Sequence, residues 1–162
     1  MQGGLISYAL LAALATGLLI AAFTDLRRRE IDNWLTAAIA LGAPVFWLVT
    51  GISGLNVGIQ LGIALITFAV LVTLFAFNLM GGGDVKLLTA LSLWIEPWWY
   101  FQLIVVMALV GGALTLVFGA IHLARRNTEK VQVPYGIAIS AAGLWVLANQ
   151  HLIALKSGEF FG

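Results

Sequence analysis

Long uncharged apolar runs alternate along this chain with short clusters of charge or glycine. The first run extends from Leu5 to Thr24 and gives way to Asp25, Arg27, Arg28 and Arg29. It is long enough to cross a hydrocarbon core, which takes about 20 apolar residues. No basic segment precedes it, as one would in a secretion signal, so it is expected to be retained as helix one. No charged residue occurs from Trp34 to Gly83. That stretch is too long for one span and suits two, with a turn in the Gly- and Asn-containing segment Thr50–Asn56. Helix two is expected over 34–50 and helix three over 56–79, with Gly58 and Gly62 forming a small-residue face suited to close helix contact. Met80-Gly81-Gly82-Gly83 then breaks the pattern, and a short apolar stretch runs from Val85 to Glu96-Pro97. A helix of that length rises only about 16 Å, so helix four is short, or tilted, or starts inside the membrane. Two further spans are expected over 98–122 and 133–154. The fold class is therefore all-α: a polytopic membrane protein of about six transmembrane helices, in a single domain over 1–162.

Composition narrows the function classes. The chain is 62% hydrophobic and 9% charged, whereas soluble domains carry about 25% charged residues. It lacks the polar surface of an ordinary cytosolic domain or of a nucleic-acid-binding module. The absence of cysteine excludes disulfides and thiolate metal sites. His122 and His151 lack ligand spacing, so neither a metal nor another cofactor is expected. The basic residues set the orientation. If the 25–33 loop is cytoplasmic, six spans put the 80–86 and 123–132 loops on the same side. Arg27, Arg28, Arg29, Lys86, Arg125, Arg126 and Lys130, seven of the eight Lys and Arg, then share that side. Lys156 alone lies opposite, and both termini are outside the cytoplasm. Trp94, Trp98, Trp99 and Tyr100 fit an aromatic belt at the outer interface.

Candidate chemistry comes from the acidic residues. Glu129 and Glu159 read as solvated charges, and Glu96 marks the outer end of helix four. Asp25 follows directly on the apolar run of helix one, at membrane depth, where a carboxylate is a functional candidate. The plain alternative is that the helix continues past it and the arginines neutralise it. Asp84 follows three glycines and opens helix four, where it could simply cap the helix. Irregular backbone at membrane depth, however, survives only where it is buried in protein or lines a wet cavity. Gly81, Gly82 and Gly83 therefore read as site support that presents Asp84 to such a cavity. Two neighbouring carboxylates cannot easily both ionise; one acts as base and the other as acid. Such a pair can activate water against a peptide carbonyl without metal or covalent nucleophile. Lys86, two residues on, is placed as a site-support cation for Asp84, or as an anchor at the end of helix four. Asn33 reads as the cap of helix two. Glu30 and Asp32 pair with the arginines or attract a basic ligand, and Gly136 permits close packing or a tight entry turn.

Thr24-Asp25-Leu26-Arg27-Arg28-Arg29-Glu30-Ile31-Asp32-Asn33, together with Gly81-Gly82-Gly83-Asp84-Val85-Lys86-Leu87, resembles the type IV prepilin peptidases, membrane aspartic proteases with a GxGD motif. The resemblance covers essentially the whole chain, including Val133-Pro134-Tyr135-Gly136-Ile137-Ala138, and is closest to the short, CpaA/TadV-like form associated with Flp/Tad pili. It implies that Asp25 and Asp84 are catalytic. It also implies a bacterial inner-membrane location with the active site facing the cytoplasm. The implied substrate is a prepilin with a short basic leader and an apolar helix, and the implied environment is membrane lipid. The family's usual Pro is Asp32 here, which alters the loop and not Asp25. The paired cysteines and N-terminal segment of the methylating long forms do not appear, so leader cleavage without N-methylation is expected. A small ion-coupled transporter subunit using the same carboxylates is the alternative, and an assembly subunit with glycines for packing is a third. A carrier would place carboxylates near mid-membrane and show repeat symmetry, whereas here they gather at one face.

Overall fold

The computed structural model describes residues 2–124 and 135–157. They form six helices: α1 (Gln2–Arg28), α2 (Asn33–Thr50), α3 (Gly54–Ala76), α4 (Gly82–Ser92), α5 (Pro97–Ala124) and α6 (Tyr135–Ser157). The basic loop expected around Arg125, Arg126, Glu129 and Lys130 lies outside the described residues. So do Val133, Pro134 and Glu159, and the side chains of His122, His151 and Lys156.

Four helices among the described residues are long and apolar enough to cross a membrane: Gly4–Arg28, Asn33–Thr50, Gly54–Ala76 and Pro97–Val117. α4, at 11 residues, rises about 16 Å against a hydrocarbon core of about 30 Å and does not cross. It is enclosed instead. It packs against α2, α3, α5 and α6, and Leu87, Leu88 and Leu91 are fully buried. Its leucines, Val85 and Ala90 are buried in the bundle, and Lys86 marks its exposed side. The long helices, in turn, leave Leu19, Leu65, Ile66, Val70, Leu109 and Leu116 exposed, the surface expected where lipid is the solvent.

The helix ends follow local chemistry. α2 stops at Gly51, whose φ of 68° is left-handed, and the amide of Ile52 donates to Trp47 O. α3 starts on Ser53, whose Oγ accepts from the Asn56 amide. It ends earlier than expected because Asn78 takes φ 57°. The amides of Asn78 and Leu79 then return to Phe75 O and Leu74 O, the paired bonds of a Schellman cap.

Two sequence expectations are corrected. Trp94 and Tyr100 do not belong to an outer belt: both are buried, whereas Trp98 is exposed. Trp94 Nε1 donates to Ile39 O at 2.7 Å, Trp47 Nε1 to Leu93 O at 2.9 Å, and Tyr100 Oη to Leu88 O at 3.2 Å. Polar aromatic tips find partners when buried, and here they pin the C-terminal end of α4. Gly58 and Gly62 face open space, with nothing within 4 Å of an added Cβ. Gly42, in contrast, does admit a neighbour: a Cβ there would lie 2.7 Å from Trp94 Cζ2.

Candidate active site

α1 does not stop before Asp25. It continues to Arg28 and closes on Arg29, whose φ is 55° and whose amide donates to Asp25 O at 2.8 Å. This left-handed residue turns the chain so that Ile31 buries against Gly83, where an added Cβ would approach Ile31 Cβ to 3.1 Å. Asp32, not Asn33, occupies the cap position of α2, and its side chain makes no cap bond. It pairs with Arg28 at 3.0 Å instead. Asn33 is free to accept from Lys86 Nζ at 2.8 Å. Lys86 therefore ties the start of α4 to the start of α2 and does not reach Asp84. Two residues along a helix turn the side chain by about 200°, so the two positions face apart.

Asp84 is likewise not the cap of its helix. Gly81 holds that position with φ −74° and ψ 145°, and Asp84 falls in the first turn. Its carboxyl accepts from the Gly81 backbone amide, the back-reaching half of a capping box. The fit explains Gly81: a Cβ there would sit 2.9 Å from Asp84 Oδ2. α4 lies outside the four membrane-crossing segments. Burial, with the Asp25 charge as a second cause, pushes Asp84 up to about 6 from an ordinary 3.8.

Asp25 is buried at the C-terminal end of its own helix, the unfavourable end for a carboxylate. α6 offsets this. Its first turn begins at Tyr135, and the backbone amides of Gly136 and Ile137 donate toward the Asp25 carboxyl. Such first-turn amides have no acceptor within their own helix. Oδ2 lies against Gly136 and makes no hydrogen bond of good geometry among the described residues. Arg29 adds a favourable charge.

Asp25 and Asp84 line one cavity of about 320 Å³, shared with Arg29, Glu30, Asn33 and the three glycines. All of these residues come from the end of α1 and the starts of α2 and α4. Among the described residues no group of three or more His, Cys, Asp or Glu is placed to hold a metal. The sequence pointed to both carboxylates and to the glycines. It missed Ile137 and the role of Asn33, and it left the part played by Gly136 open. The signal for Gly136 was its place immediately after Pro134-Tyr135, where a sixth helix opens.

Residues 12–120 match the model of the type IV leader peptidase family. The chain belongs to that family. No protein of curated function and no solved structure matches it. Members of this family are peptidases, and the long apolar helices make this one a multi-pass membrane protein. The matched segment contains both carboxylates and the glycines, whereas α6, which faces Asp25, lies beyond it.

Proposed function

We propose that this protein is an aspartic endopeptidase that removes the short basic leader from type IV prepilins, of the Flp/Tad kind. On this reading it is one membrane-embedded domain over 1–162 in the bacterial inner membrane. The cavity faces the cytoplasm, where the basic residues of the 25–33 and 80–86 segments lie. The observation that carries the proposal is the meeting of Asp25 and Asp84 in one cavity of a leader-peptidase family member.

The chemistry follows from the environments of the two groups. Burial and the neighbouring Asp25 charge favour the protonated form of Asp84, and in the active form of the coupled pair we assign the single shared proton to Asp84. Asp25 is the base. It takes a proton from water as the water oxygen bonds to the scissile carbonyl carbon. Asp84 gives its proton to the carbonyl oxygen, which becomes a hydroxyl of the tetrahedral intermediate. As the C–N bond breaks, the proton on Asp25 passes to the leaving amine, and the intermediate returns a hydroxyl proton to Asp84. General acid–base assistance of this kind is worth about 10²–10⁴-fold. Lys86 supports the site indirectly, by holding α4 to α2 through Asn33.

The test is co-expression with a candidate prepilin, with leader loss followed by mass spectrometry, beside Asp25→Asn and Asp84→Asn at equal membrane levels. Cleavage by the parent alone supports the dyad. Undiminished cleavage by both variants rejects it.

A further inference from the structure

Asp25 lies unusually close to the backbone of another helix, at Gly136. An added Cβ at Gly136 would fall 2.8 Å from Asp25 Cγ, 2.8 Å from Oδ2 and 2.9 Å from Asp25 Cβ. Three atoms of one side chain thus lie flat on the backbone of another helix, closer than any side chain would allow. The same face of α6 carries Gly143, where a Cβ would lie 3.0 Å from Leu18 Cδ1. Small residues at both points let α1 and α6 run in contact over much of their length. The start of α6 is fixed from its other side as well. Tyr135 packs on Gly111 of α5, where a Cβ would come within 3.2 Å of its ring. Its hydroxyl also lies 3.4 Å from Thr115 Oγ1.

We propose that Gly136 is a positioning residue for the peptidase reaction: its bare backbone is the bed on which the first turn of α6 seats the Asp25 carboxylate toward the cavity. The free amides of Gly136 and Ile137 face that carboxylate, at the helix end whose partial positive charge favours an anion. α5 supports the bed from behind through Tyr135. A methyl at residue 136 would lift the carboxylate off the amides, since the three atoms nearest to it all belong to Asp25. The proposal rests on the peptidase reading of Asp25, and adds a residue outside the segment that matches the family.

The experiment compares purified Gly136→Ala and Gly143→Ala with the parent in prepilin cleavage. Gly143→Ala is the packing control, since it presses the same helix pair at a flexible leucine remote from the cavity. Displacing a reacting group by about 1 Å costs roughly 10²-fold, so Gly136→Ala is expected to lower kcat by about that factor. KM should stay within about twofold, and Gly143→Ala should lose less than about threefold. Equal losses in the two variants, or a loss carried by KM, would overturn the proposal. A second measurement does not depend on activity. Thermal unfolding in detergent is compared for Gly136→Ala in the parent and in an Asp25→Gly background, which removes all three atoms that a Cβ would meet. The penalty of Gly136→Ala should fall by at least about half in that background; an unchanged penalty would overturn the contact. Should Gly136→Ala fail to accumulate alone, recovery in the double variant reads the same coupling, and continued failure counts against it. Loss of the peptidase reading itself is seen separately, as undiminished cleavage by Asp25→Asn.

Discussion

The two ends of α4 are built on opposite terms. At its C-terminal end, Trp47, Trp94 and Tyr100 spend their polar atoms on backbone carbonyls, and Phe46 packs its ring 5.2 Å from that of Trp94. That end is closed and its polar groups are matched. At the N-terminal end, three glycines leave the backbone bare, a carboxylate is buried, and a cavity opens. The difference teaches how an 11-residue helix can present an acid without drifting. Rigidity is supplied at one end, so that the other can remain open and carry strain. Sites are often kept precise in this way, by anchoring shells a turn or two from the chemistry.

The largest effect expected at the open end is chemical. Asp25→Asn or Asp84→Asn should lower prepilin cleavage by about 10³-fold or more while leaving the folded fraction intact; a rate measured on purified protein checks it. A variant retaining most of its rate would erase the functional half of the contrast.

Next comes the stability cost of the buried acid. Asp84 is raised from 3.8 to about 6 in the folded protein, so its protonated form is the one folding favours. The stabilisation this gives is complete below about pH 4 and is lost as pH rises through about 6. Asn is neutral throughout. Asp84→Asn should therefore be more stable than the parent at pH 8, by up to about 3 kcal/mol, with the gap closing near pH 4. Unfolding at both pH values measures it, and a pH-independent gap would show that the acid is not strained.

At the closed end the expected changes are opposite in sign. Gly42→Ala drives a methyl to 2.7 Å from a rigid indole and should destabilise by about 2 kcal/mol, the scale of overpacking. Trp47→Phe removes the bond to Leu93 O and should cost about 1.5 kcal/mol, since the part-buried carbonyl loses its donor. Thermal denaturation reads both, and neither should alter KM. The smallest effect concerns Arg29, the non-Gly residue at φ 55° beside the cavity. Arg29→Gly should relieve about 1 kcal/mol of backbone strain while removing a charge from Asp25. Gain of stability with loss of rate would separate the two roles.

Much of this contrast was legible in the order of residues. Uncharged runs of span length yielded the helices, because a chain in lipid must satisfy its backbone within each segment. The brevity of α4 followed from Gly83 on one side and Pro97 on the other. Both carboxylates and the glycine break stood out because each is out of place by local rules. The partners escaped notice because each is set by packing across a long sequence separation. Asn33 reads as a cap until Lys86 arrives from another helix to bond it. Trp94 and Tyr100 read as interface anchors until α4 turns out to lie inside the bundle. Gly58 and Gly62 fit a contact motif, yet the face they form is open. Asp25 appears badly placed until α6 brings its amides to it.

The position of α6 in the chain orders the making of the protein. Both carboxylates leave the ribosome well before Tyr135 does, and helices one to four can enter the bilayer while the sixth is still untranslated. Until then Asp25 sits at the wrong pole of its own helix, with no bed. The seat of Asp25 is supplied by α6, which follows the other five described helices in the chain and docks on the first. On the proposed reading, a chain made only as far as α5 holds both carboxylates but lacks the seat of Asp25, so the order of synthesis keeps Asp25 and its seat apart until α6 arrives.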